Sequence, residues 1–99
     1  MSFTFTFSEA IWQHDGPSGW HFVTVPAPVV DEIRARTAGN GRPFGMVAVR
    51  ATIGATTWST TLFADTARDA YLLPVKAQVR RREDVGDGDV VEVTIASAS

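Results

Sequence analysis

The chain has 99 residues, 44% hydrophobic and 10% aromatic, enough for one packed core and too short for a second. Its formal charge of -2 argues against a polyanionic partner such as nucleic acid, and the absence of cysteine excludes disulfides, thiolate metal sites and cysteine nucleophiles. No apolar run approaches membrane-spanning length and no basic-then-apolar leader opens the sequence, so the expectation is a soluble, cytoplasmic, single domain over 1–99.

"SFTFTFS" alternates strictly, with Phe3, Phe5 and Phe7 on one face and Ser or Thr on the other, which predicts a strand. Glu9 falls on the Phe parity. The simpler account is a bulge or strand end there; the other places Glu9 in a barrel mouth. "HDGPSG" is turn chemistry, and "WHFVTVP" predicts a second strand ended by Pro26. Val29, Val30 and Ile33 then recur at helical spacing. Pro28 suits the helix start, Asp31 and Glu32 its first turn, Arg34 and Arg36 its last, and Gly39 and Gly41 its stop.

"FGMVAVRATIGATTWSTTLF" predicts a hairpin with Gly54 at the first position of a type II′ turn. That turn sets Ala51 opposite Trp58, Val49 opposite Thr60 and Val47 opposite Leu62, with Arg50 and Ser59 facing solvent. "ADTARDA" reads as a polar loop, "YLLP" as a short strand, and "VKAQVRRRED" as a short helix with Val75 and Val79 on one side and Lys76 and Arg80 on the next. "VGDGD" turns the chain. "VVEVTI" ends the fold with Val91, Val93 and Ile95 inward, and "ASAS" is a frayed tail. Together these predict a mainly β fold, α+β by content. It is a small, mostly antiparallel barrel of six to seven strands with helices at about 27–38 and 75–83, closed so that no strand edge is left open.

Chemistry-bearing motifs are sparse. His14 and His21 flank one turn without an accompanying carboxylate cluster, so solvated or hydrogen-bonded histidines are expected rather than a metal site. "TTWSTT" has no attendant base or nucleophile elbow, and "GNGRP" and "GDGD" lack the spacing and lysine of a phosphate loop. Asp65, Asp69 and Asp84 are loop carboxylates of the kind usually solvated. Lys76, Arg80, Arg81 and Arg82 form a basic knuckle, followed at once by Asp84, Asp87 and Asp89; Arg34, Arg36 and Arg42 belong to another stretch. Trp12, Trp20, Trp58 and Tyr71 suit a core, or the lining of a pocket.

"GPSGWHFVTVP", "VRATIGATTWSTTLF" and "YLLPVKAQVRRREDVGDGDVVEVTI" together resemble the DUF1905 family, small bacterial and archaeal domains of unknown function, over Phe3 to Ile95. The chain departs from the family pattern at Ala64 and Ala70, where relatives tend to carry Pro and then Gly. Val79-Arg80 and Gly88-Asp89 are also similar, more distantly, to split-barrel regulators of the AbrB type, which implies a barrel topology more than DNA binding. In the last unit Gly88 suits a positive φ, Asp89 can accept backbone N–H groups, and Arg80 is expected to pair with Asp89 or Asp84.

These readings favour a non-enzymatic binding or accessory module with a small-molecule or peptide cleft at the barrel mouth, a small-molecule or protein partner, and a monomeric or homodimeric state. Neither cofactor nor metal is expected. The candidate cleft or structural-motif residues are Arg80, Trp58, Trp20, Tyr71, Lys76 and Asp89. A dimeric nucleic-acid-binding regulator is the alternative, and a small cofactor-free enzyme the third.

Overall fold

The computed structural model describes residues 2–17, 19–37 and 46–98. Among them the chain order is β1 (Thr4–Gln13), β2 (His21–Thr24), α1 (Ala27–Thr37), β3 (Met46–Ile53), β4 (Thr56–Asp65), β5 (Ala70–Pro74), α2 (Ala77–Glu83) and β6 (Val90–Ser97). The strands pair antiparallel throughout and close in the order β1-β2-β5-β4-β3-β6, with β6 joining β3 back to β1.

Period-two alternation fills this barrel. Phe7 and Ile11 from β1, Val23 from β2, Val49 and Ala51 from β3, Trp58 and Leu62 from β4, Tyr71 and Leu73 from β5, and Val91, Val93 and Ile95 from β6 form one buried cluster. A barrel of this strand number has room for little besides its own side chains. The β3–β4 register is the predicted one, with Ala51 opposite Trp58, Val49 opposite Thr60 and Val47 opposite Leu62. Gly54 has φ +59° and Ala55 does not share a positive φ, which is the type II′ pattern.

The helices close the two ends. α1 lies where β1, β3 and β5 begin; Val30 and Ile33 enter the core, and the Arg36 guanidinium sits 5.5 Å from the centre of the Phe5 ring. Its first turn, Ala27–Val30, holds no acidic residue. Asp31 and Glu32 therefore fall one turn later than expected, and Glu32 pairs with Arg36 at 3.2 Å, one helical turn on. Arg34 reaches across to Asp69 at 2.8 Å. That hydrogen bond, aided by the guanidinium charge, holds the Asp69 carboxyl below its ordinary range and raises Arg34 in turn. α2 covers the opposite end with Val79, preceded by buried Val75. The expected helix start at 75 shifts to Ala77. Val75 N–H still extends the sheet by bonding the His21 carbonyl, and Lys76 is an extended N-cap.

Three further expectations are corrected. No bulge occurs at Glu9: β1 and β6 stay in register from Thr4–Ala96 to Ala10–Val90, and β1 runs on to Gln13. Glu9 keeps the parity of Phe7 and Ile11, half-buried opposite Val91. A carboxylate that retains contact with water needs no bulge to rescue it. The 64–70 loop is shorter than expected, because Ala64 pairs with Tyr71 and Asp65 with Ala70. Asp69 completes the tight turn at φ +52°, a left-handed conformation that aspartate tolerates. Lastly, Ala96 and Ser97 belong to β6, with Ser97 N–H bonded to the Phe3 carbonyl and Phe3 N–H to Ser97 Oγ. The expected helix stop at Gly39 and Gly41, the basic residue Arg42 and the hairpin's first residues, Phe44 and Gly45, lie outside the described residues.

Candidate functional site

The alternation that fills the barrel also sets an outward row. Ile11, Val23 and Leu73 point inward in register, so Trp12, Phe22 and Pro74 pair on the outer surface of β1, β2 and β5. Phe22 is buried yet stands apart from the core cluster. Its cover is aromatic: Trp12 at 5.3 Å and 41°, Trp20 at 5.9 Å and 23°, and His14 edge-on at 6.4 Å. Trp12 donates its indole N–H to Thr24 Oγ1 at 2.9 Å, which fixes the ring. The Arg68 guanidinium lies 4.8 Å from the centre of the Trp12 ring and is held by Asp65 at 3.2 Å. Trp20, by contrast, is 51% exposed. Exposed Phe63 and Met46 continue the same outer surface across β4 and β3, opposite each other in register.

The two histidines separate by the same parity. Gln13 pairs with His21, whereas His14 N–H bonds the Trp20 carbonyl, so the two side chains leave opposite faces of the ladder. His21 Nδ1 is engaged with the Gly19 carbonyl at 2.7 Å.

The six singled-out residues divide into three places. Trp58 and Tyr71 are buried in the core, with Arg34 over the Tyr71 ring at 6.0 Å. Arg80 and Asp89 belong to the α2–β6 connection. Trp20 and Lys76 both follow the end of the β2–β5 ladder: Val75 bonds His21 in the same antiparallel register that pairs Phe22 with Pro74, and one further step of that register would set Lys76 opposite Trp20. Both are exposed.

The α2–β6 connection is stitched by its backbone. Gly88 takes φ +91°, Gly88 N–H bonds the Ile11 carbonyl and Ile11 N–H the Asp89 carbonyl. Asp89 Oδ2 accepts the Gly86 N–H at 2.8 Å, the turn role expected of it. The expected ion pair of Arg80 with Asp89 or Asp84 does not form. Arg80 Nε instead donates to the Val75 carbonyl at 3.4 Å, a long bond, while Asp89 accepts the Gly86 N–H within its own turn and Asp84 is the left-handed cap of α2. Arg80→Ala should therefore cost about 1 kcal/mol or less. Thermal melts should place it with Arg81→Ala, and well above Val79→Ala, which opens the core. A large loss for Arg80→Ala alone would show a partner that this geometry lacks.

The family described as "Domain of unknown function (DUF1905)" matches residues 7–95. The chain belongs to the DUF1905 family. No curated protein matches it. The match covers almost all of the barrel, and Trp12, Trp20, Phe22, Arg68 and Lys76 all fall within it. No helix among the described residues of this DUF1905 domain is long and apolar enough to cross a membrane.

The domain also carries an open cleft of about 360 Å³ where the Gly54 turn meets α2 and β6, lined by Thr52, Ile53, Gly54, Glu83, Val85, Val91, Glu92 and Thr94. None of the six singled-out residues lines it. Of the outer aromatic group, the sequence pattern marks neither Phe22 nor Arg68, and it marks His14 only as one of two histidines around a turn. The signal that finds them is the parity of β2: with Val23 inward, its neighbour Phe22 must face out, and an outward Phe between two Trp is an anomaly.

Proposed function

We propose that this DUF1905 domain is a non-enzymatic binding or accessory module whose ligand contact is the outer face of β1, β2 and β5. The observation that supports it is Trp20. It is a large indole, half in water, stacked on a Phe22 that the barrel core does not use. Trp12 has its N–H satisfied and its ring covered by Arg68, so it acts as support. Fixed aromatic surface of this kind binds at low entropic cost, because its rotamers are already held. The described barrel interior is lined by its own buried apolar side chains.

The expected result is that Trp20→Ala costs about 1–2 kcal/mol, for the ring contact with Phe22 and the buried half of the indole, and leaves the barrel folded. In a thermal-shift screen of ring-bearing small molecules and short peptides, compounds that stabilise the natural protein should lose their effect on this variant. Hits that stabilise Trp20→Ala equally well would move the binding site elsewhere, with the cleft beside Gly54 the next place to test.

A further inference from the structure

We propose that the Trp20 face takes a small ring-bearing anion: a planar ring stacked on the indole, with a phosphate or carboxylate on Lys76. This rests on the binding-face reading above and names its ligand class. The ring follows from the geometry of the pedestal. Trp20 lies nearly parallel to Phe22, which Trp12 and His14 hold from the sides, so one indole face is fixed and the residue remains 51% exposed. Such a platform favours planar π systems, because ring–ring contact adds to the area it buries.

The anion follows from Lys76. The β2–β5 register, continued one step past the Val75 N–H bond to His21, sets it opposite Trp20, where cross-strand neighbours stand roughly 5 Å apart at Cβ. Its backbone caps α2 without help from the side chain, and the ammonium forms no ion pair among the described residues. Arg68 supplies a second cation on the far side of Trp12, but Asp65 already holds it. A single free ammonium next to one exposed ring suits one anionic group on one ring.

Asp87 and the charge of the whole chain weigh against a polymer, although exposed Arg81 and Arg82 follow on α2. Asp87 Oδ1 accepts the Gln13 N–H at 2.9 Å, one residue before His14 in the chain. The chain as a whole carries -2. A polyanion laid along the face towards Gln13 would meet Asp87, whereas a mononucleotide-sized ligand need not.

Adenosine monophosphate, adenosine, inorganic phosphate and a ten-residue deoxyadenosine oligonucleotide test this by calorimetric titration of the full chain. The monophosphate should bind at least tenfold more tightly than adenosine, and phosphate alone should not bind measurably. Lys76→Gln should reduce the monophosphate to the affinity of adenosine and leave adenosine unchanged, and Trp20→Ala should abolish both. Equal binding of monophosphate and adenosine, or an unchanged monophosphate affinity in Lys76→Gln, would overturn the ligand class while leaving Trp20-dependent binding in place. Tighter binding of the oligonucleotide, falling steeply with salt, would overturn it in favour of a nucleic-acid strand. Ring binding that survives Trp20→Ala would remove the face reading itself, and with it this inference. Melting curves of both variants show that each remains folded.

Discussion

Trp58→Ala should destabilise the protein by ~3–5 kcal/mol, the usual cost of deleting a large buried aromatic. Trp58 is 9% exposed, belongs to the core cluster and stands opposite Ala51, whose small side chain leaves the space that the indole fills. The indole N–H is buried and has no hydrogen-bond partner among the described residues, so truncation forfeits packing rather than a hydrogen bond. Trp58→Phe should therefore cost much less than Trp58→Ala, because it keeps a ring and removes an unsatisfied donor. Urea unfolding of the two variants measures both terms. Equal losses would mean that the N–H carries the stability. A near-neutral Trp58→Ala would place this residue at the surface.

Gly54→Ala should cost about 1–3 kcal/mol, large for the addition of one methyl group. Two penalties combine. The φ of +59° at the first position of a type II′ turn is strained for any L side chain. A Cβ there would also overlap the Glu83 carboxylate, which lies over the turn and accepts a hydrogen bond from Thr56 Oγ1 at 2.6 Å. The two causes separate in a double-mutant cycle. Glu83→Ala removes the overlap, so Gly54→Ala should be milder in that background, and the remainder is backbone strain. Full additivity would show that Glu83 moves aside without cost and that strain alone opposes the substitution.

The barrel was legible wherever one face of a strand is apolar and the other is not. Ala51, Trp58, Val91, Val93 and Ile95 each announce their side, and a single glycine turn fixes the β3–β4 register. Glu9 misled because an isolated charge on an apolar parity looks like a change of face, whereas a half-buried carboxylate costs less than breaking a ladder in register from Thr4 to Ala10. The 64–70 turn was read too long because its alanines carry no face signal. Arg80 was read as an ion-pair partner from spacing alone, and spacing does not reveal that Asp89 is spent on Gly86. Of the aromatic face, Trp20 and Lys76 were singled out separately. Their relation depends on β2 pairing with β5, whose partners lie 48 to 52 residues apart, and local pattern holds no record of such a pairing.

β6 has two neighbours from distant parts of the chain, β1 and β3, and it is the last strand to be made. During synthesis from the N-terminus, everything before Val90 can be present while the sheet still has two raw edges. Those edges carry Phe3, Phe7, Val49 and Ile53, and exposed apolar edges of this kind invite pairing with other chains. Eight residues then seal both at once, through contacts such as Thr4 with Ala96 that span nearly the whole chain. Closure entropy rises only slowly with such distance, but none of it is recovered until the seal is complete. A chain stalled or cut before β6 is therefore not a slightly weaker barrel but an open, self-adhesive sheet. The vulnerable interval in this protein's life is the short one before its final strand arrives.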